Sequence, residues 1–330
     1  MIATRAVMLL LLAVTGCTAA GVTQSPTGSG GAGGAVQPDG GGQSGGAGSV
    51  MIGSGGSVGS GGVSMPGAPD PATFTKADIG GFKLGAPLPN DQPPTSVFTG
   101  ADCHILAGVV RDFKGTTEPN GHPDFEDYGG GSPTPGLLAT ALDSGSKPVY
   151  ASKCEGAPTD AMACPWGQQT TSQAAFDQWY RFADGINKPF VLYLSLDTVG
   201  AISTFASSGF FPLDGAGWGN SGLDLDGKMH NFGFTTELHT KFMYKGGETF
   251  HFTGDDDLWV FINGKLAIDL GGLHPPADGT VDLDAQATAL GLTAGSVYPL
   301  DLFHAERHTE ASNFRVDTNL SFVDCGRVIP

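Results

Sequence analysis

The chain is short of charge, and of positive charge above all. Charged residues are 15% of its 330 residues, and 16 lysines and arginines face 33 acidic residues, a net charge of −17. So acidic a chain excludes tracking of a phosphate backbone and electrostatic attraction to anionic lipid headgroups. Chemical signatures are also scarce. From residue 103 onward there is no Gly-x-Ser-x-Gly elbow, P-loop, HExxH, CxxC pair or EF-hand spacing. What is abundant is glycine, 53 residues, and proline, 22. Together they are near a quarter of the chain, about twice the usual share, which places a low-complexity segment beside a folded domain. Aromatic residues reach 9%, too many for a chain disordered throughout.

The longest apolar run, Ala6–Val14, follows a single charge, Arg5. It is too short to span a bilayer and reads as the h-region of a secretory signal. It leads into Val14-Thr15-Gly16-Cys17, which resembles a bacterial lipobox. That resemblance implies a signal peptide over 1–16 and lipidation of Cys17; Thr18 after the cysteine implies the outer membrane or cell surface. Residues 18–72 hold 19 glycines and only two charges, Asp39 and Asp70. Such a segment cannot bury enough apolar surface to offset chain entropy, so 17–72 is expected to be a disordered linker. Residues 73–102 form a Pro-rich, poorly patterned approach segment. Four cysteines remain: Cys103, Cys154, Cys164 and Cys325. An even number in an exported chain points to two disulfides with three possible connectivities. Cys154–Cys164, flanking a short Gly/Pro loop, and Cys103–Cys325, bracketing the patterned region, are the expected pairs.

From 103 to 326 period-two alternation dominates, and the fold class expected is all-β, a sandwich with loop insertions and one or two short helices. Strands are expected at 106–113, 190–196, 232–244, 250–252, 300–304 and 314–320. The clearest hairpin is Leu258–Ile262, Asn263-Gly264, Lys265–Ile268, where Asn-Gly supplies a type I′ turn. Ser172 caps an expected helix carrying Phe176, Trp179, Tyr180 and Phe182 and ending at Gly185. Chemistry concentrates in Asp255-Asp256-Asp257, between two apolar strands. Adjacent carboxylates repel unless something compensates. Either the run is a solvated acidic turn, or it contributes oxygens to a hard cation such as Ca²⁺, with the rest supplied by another loop. The segment Glu306–Asn313 is the candidate for that loop.

The run from Phe252 to His274 resembles the signature of the fibro-slime domain, as does Phe303–His308 followed by Ser312-Asn313-Phe314. Arg111–Phe113, His122–Phe125, Trp179-Tyr180 and Phe210–Leu213 extend the likeness over most of 103–325. The fibro-slime domain is similar to the PA14 superfamily, β-sandwiches of adhesins, toxins and glycosidases. In its calcium-dependent lectins, two aspartates joined by a cis peptide hold Ca²⁺, and the ion coordinates sugar hydroxyls. The resemblance carries these two onto Asp255 and Asp256, with Asp257 and Asn313 as further candidate ligands. In the same motifs His274, Glu306 and Arg307 are the candidates for ligand contacts. The function implied is a lipid-anchored, Ca²⁺-dependent carbohydrate-binding protein acting in cell adhesion, with a glycan or polysaccharide as partner and neither catalysis nor nucleic acid. Two alternatives stand beside it. One is a structural surface protein without a ligand. The other is a metal enzyme using His304, Glu306 and His308, which alternate and would share one face of a strand.

Overall fold

The structure, a computed structural model, describes residues 74–88, 96–97, 103–156 and 162–328. The expected signal peptide, Cys17 and the Gly-rich linker lie outside the described residues. The strands, in chain order, begin with β1 (Phe82–Pro87), β2 (Ser96–Val97), β3 (Ile105–Phe113), β4 (Asn187–Ser195), β5 (Asp197–Val199) and β6 (Ile202–Ser207). Next come β7 (Gly222–Leu223), β8 (Met229–His230), β9 (Phe234–Tyr244), β10 (Thr249–Gly254), β11 (Asp257–Ile262) and β12 (Lys265–Leu270). The last are β13 (Ala277–Asp282), β14 (Ser296–Glu306), β15 (Phe314–Thr318), β16 (Ser321–Asp324) and β17 (Arg327–Val328). Three short helices are interspersed: α1 (Lys76–Ile79), α2 (Gln173–Asp177) and α3 (Leu283–Leu290).

Eight strands form one sheet in the order β1-β4-β3-β9-β14-β11-β12, with β16 beside β3 on the same edge of β9. Five form a second, β13-β10-β15-β6-β5. All their pairings are antiparallel. Alternation decides what each strand buries. Leu258, Val260 and Ile262 of β11 and Leu300 and Leu302 of β14 meet Phe250, Phe252, Phe314 and Val316 of the second sheet in one core. The residues between them, Trp259, Phe261, Phe303 and Ala305, point the other way into a second core. There they meet Phe125, Leu137, Tyr150, Phe176, Trp179 and Tyr180, supplied by the long excursion between β3 and β4. The large sheet is thus buried on both faces, which is why its central strands read as continuous apolar runs. The β11–β12 turn has φ 53° at Asn263 and 70° at Gly264, as a type I′ turn requires.

A buried ionic cluster fastens the excursion to the sheet. Glu237 of β9 accepts from Arg111 of β3 (2.6 Å), from Lys147 of the excursion (2.5 Å) and from His239 (2.5 Å). The other ring nitrogen of His239 meets Asp301 of β14 at 2.6 Å. Burial alone would raise the Glu237 carboxyl, but Lys147, Arg111 and His239 hold it far below the usual carboxylate range.

Both expected disulfides are present, Cys103–Cys325 and Cys154–Cys164. The first ties the lead-in of β3 to the end of β16, where Ala107 N–H also donates to the Cys325 carbonyl at 2.7 Å. Its sequence separation is 222, against 10 for the second. Loop-closure entropy grows with loop length, so Cys103→Ser/Cys325→Ser is expected to cost about 2–5 kcal/mol. Cys154→Ser/Cys164→Ser is expected to cost less. Urea unfolding of the two variants compares them, and equal losses would contradict the entropic account.

Three expectations change. The approach segment is not wholly unpatterned, because Phe82–Leu84 and Pro87 pair with β4 as an edge strand. Ser172 does cap a helix, its side chain accepting from Ala175 N–H, but α2 ends at Asp177, and Trp179 and Tyr180 enter the core from the turn beyond it. Helix α3, capped by Asp282 and closed by Gly291 in the left-handed region, has no counterpart in the sequence reading.

One buried carboxyl sets a pH dependence. Asp112 of β3 accepts from Asn231 Nδ2 at 2.7 Å and from Trp218 N–H, and burial pushes it up to about 7. A carboxyl raised in the folded state contributes stability below its unfolded value of about 4, lost as pH rises through about 7. The upper bound is ~4 kcal/mol. Asp112→Asn is expected to flatten unfolding free energy between about pH 4 and 7, and an unchanged slope would refute this.

Candidate functional site

The acidic run sits where the chain changes sheets. Strand β10 belongs to the second sheet and β11 to the first, so Asp255 and Asp256 make the crossing. Strand β14 and β15 make the opposite crossing, through residues 307–313. Each strand of one pair is hydrogen-bonded to a strand of the other, with Gly254 opposite Phe314 and Asp257 opposite Ala305. Register therefore lays the two corners side by side. A side chain on Gly254 would strike the Asn313 carbonyl, so glycine lets them touch. The Asp255–Asp256 peptide bond is cis.

Asp255 Oδ1 accepts from Asn313 N–H at 2.5 Å and Oδ2 from Asn313 Nδ2 at 2.8 Å. Its own carbonyl accepts from His304 Nε2 at 2.8 Å. Asp256 Oδ2 accepts the backbone N–H of Arg307 (3.0 Å) and of His308 (3.1 Å). Two carboxylates from one corner thus meet the amide side chain and three backbone N–H groups of the other.

The remaining sequence candidates fall elsewhere. Asp257, a candidate cation ligand, is fully buried; Oδ1 takes Gly272 N–H at 2.5 Å and Oδ2 takes Arg307 Nε at 2.7 Å. Its carboxylate anchors the corner from inside. Arg307, a candidate ligand contact, is also fully buried. Beyond Asp257 it donates to the carbonyls of Asp124 (3.1 Å) and Gln169 (3.0 Å), and its guanidinium lies 4.6 Å from the Trp179 ring centre. Glu306 has no exposed surface and does not reach the cleft. His274 does line the cleft, but its two nitrogens face the carbonyls of Pro275 (2.8 Å) and Leu270 (3.1 Å). The enzyme alternative loses its geometry: β14 ends at Glu306, His308 is exposed in the loop, and His304 is buried among Phe210, Phe234 and Phe314. Burial pushes His304 down to about 4.

Negative charge at the corner is under-compensated. Burial pushes Asp256 up to about 7, with Asp257 and Asp255 adding to the rise against Arg307. Burial raises Asp255 too. Among the described residues no donor reaches the Glu306 carboxyl, and the nearby Ser312 hydroxyl donates to the Phe210 carbonyl at 2.9 Å. Burial, then the charges of Asp256 and Asp255, push the Glu306 carboxyl well above the usual carboxylate range. The one adjacent arginine is committed to Asp257.

Asp255 and Asp256 open onto a cleft of about 510 Å³. Its walls are Tyr128–Gly130, Leu225, Leu273–Pro276 and His308–Ala311. Sequence reasoning missed Tyr128–Gly130 and Leu225. The glycine run 129–131 was the available signal, since a side chain on Gly130 would strike the Leu273 carbonyl. Nothing in the sequence places Leu225 here. Among the described residues no group of three or more His, Cys, Asp or Glu side chains is gathered for a metal ion.

The fold and cleft define an antiparallel β-sandwich with a largely buried acidic corner at the edge of an open cleft. A PA14 domain is found by family-model match over residues 215–327. Strands β3, β4 and β6, outside that match, are integral to the two sheets. The chain is similar to protein psiR of Dictyostelium discoideum, 37% identical over 66% of this chain and 21% of that protein. It is similar to protein psiD, 37% identical over 69% of this chain and 42% of that protein, and to psiC, 45% identical over 46% and 30%. The chain thus spans less than half the length of these relatives, which are Dictyostelium proteins rather than bacterial lipoproteins. Among solved structures it is similar to the PA14 domain of the MpAFP antifreeze protein, at 10% identity and TM-score 0.26, over 68% of this chain and 93% of that one. A GH31 alpha-xylosidase from Xanthomonas citri matches at 12% identity and TM-score 0.23, over 75% and 27%.

Proposed function

We propose that the domain binds carbohydrate through a Ca²⁺ ion held by Asp255 and Asp256, at the surface of a cell to which Cys17 anchors the chain by lipid. It is a fibro-slime-type PA14 domain serving adhesion or polysaccharide capture. The observation that carries this is the pair of under-compensated carboxylates at the mouth of an open cleft. A hard cation needs six to eight oxygens. Asp255 and Asp256 supply carboxylates, and Asn313, whose Nδ2 is turned to Asp255, has its Oδ1 to offer. The ligand set is short, which leaves positions for sugar hydroxyls. Bound, the ion supplies Lewis acidity and fixed positive charge for those hydroxyls; the chain orients its two carboxylates through Asn313, Arg307 N–H and His308 N–H. Asp257, with both oxygens engaged, stays outside the shell.

A glycan array probed with and without EDTA tests the proposal. Binding should vanish with EDTA and in Asp256→Asn, with the fold retained. Glycan binding that survives both would overturn the role of the ion, and an array with no positive glycan would favour a structural surface protein.

A further inference from the structure

The hairpin β7–β8 is built inside out. Leu223 pairs across it with Met229, and Leu225 follows in the turn that joins the two strands. These three apolar side chains are 51%, 47% and 77% exposed. The opposite side carries the charge and faces the body of the domain. His230 holds Asp214 at 2.6 Å through Nδ1 and Asp224 at 3.2 Å through Nε2, and its ring stacks on Phe211 at 3.9 Å. Gly222 rests against Thr309, a residue of the cleft wall. A solvated hairpin would show the reverse arrangement, so the apolar side marks a contact surface.

The surface continues the cleft. Leu225 lines it together with Asp255 and Asp256, and Leu223 and Met229 lead away from it. Pyranoses present hydroxyl edges and C–H faces. With the terminal unit's hydroxyls at Asp255 and Asp256, the next units of the same chain pass over Leu225, then Leu223 and Met229. Asp226 is exposed in the hairpin turn, and the net charge is −17, so an anionic chain is disfavoured.

We infer that the β7–β8 hairpin is an extended subsite, and that the cleft takes neutral oligosaccharide chains of two to four units in preference to single sugars. The inference rests on the glycan-binding proposal above. Its occupant is a saccharide chain, with His230 as the positioning residue that fixes the hairpin.

The test is calorimetry with Ca²⁺ present, using xylo-, cello- and manno-oligosaccharides of one to four units. In a series that binds, the trisaccharide should exceed the monosaccharide by about tenfold, the worth of burying roughly 55 Å² of apolar surface at ~25 cal/mol per Å². Leu223→Ser/Met229→Ser should abolish that gain and leave monosaccharide affinity unchanged. His230→Ala should reduce the gain without altering the monosaccharide. Equal affinity for all lengths, or a gain untouched by Leu223→Ser/Met229→Ser, would overturn the inference alone. Binding of no series at any length would overturn it together with the glycan-binding proposal. Sedimentation in the same buffer decides the other occupant: a dimer that Leu223→Ser/Met229→Ser dissociates would assign the surface to a second copy.

Discussion

Arg307→Met is expected to cost about 3–5 kcal/mol of unfolding free energy, the usual effect of breaking a buried ion pair from one side. The guanidinium is fully buried, and four contacts converge on it: Asp257, the carbonyls of Asp124 and Gln169, and the Trp179 ring. Removing it leaves the Asp257 carboxylate in the core with Gly272 N–H as its remaining hydrogen bond. Arg307→Lys keeps the charge but not the fork that serves Asp257 and two carbonyls at once, so it should recover only part of the loss. Adding Asp257→Leu to Arg307→Met should restore a measurable fraction, because the stranded charge is then gone. Chemical denaturation of the parent, Arg307→Met, Asp257→Leu and the double variant closes the cycle. Additive losses from the two sites would contradict the pairing.

Glu237→Gln is expected to be of similar size, again about 3–5 kcal/mol. One neutral amide would then face Arg111, Lys147 and His239, with Asp301 as the cluster's remaining anion. Lys147 should suffer most, since burial already pushes it down to about 8 even with Glu237 beside it. The excursion that Lys147 fastens also forms one wall of the cleft, through Tyr128–Gly130. Amide exchange is therefore expected to speed up across 126–150 in the variant while β10 and β15 stay protected. Uniform exchange throughout would contradict a local fastening role.

The strands that carry the corner were legible because their alternation is clean. Phe250 and Phe252, Leu258–Ile262 and Leu300–His304 all lie in strands, and Leu258–Ile262 forms the expected hairpin with the strand after Asn263-Gly264. Both disulfides were legible from cysteine spacing. The edge strand Phe82–Pro87 was not, because its proline and glycine content reads as linker while an edge position tolerates both. Helix α3 was masked by alanines, which suit a helix without creating an apolar stripe.

At the site, local pattern identified the acidic corner but could not sort its three aspartates. Asp255, Asp256 and Asp257 look alike in sequence; the strand register opposite Ala305 begins at Asp257, which pairs inward with Arg307, while Asp255 and Asp256 lie in the crossing and line the cleft. For the same reason Arg307 and Glu306, polar residues in a motif that looks exposed, are core residues. The alternation of His304, Glu306 and His308 predicts one strand face, but the strand ends between the second and third.

The most direct test of the central claim is calorimetric titration of the purified chain with Ca²⁺, repeated on Asp255→Asn, Asp256→Asn and Asp257→Asn. One saturable site per chain is expected, with a matching rise in melting temperature by mass action. Asp255→Asn and Asp256→Asn should abolish both. Asp257→Asn should lower stability without Ca²⁺ yet keep the binding heat. No heat and no melting shift at millimolar Ca²⁺, or equal binding by the Asp256→Asn variant, would contradict a cation held at this corner.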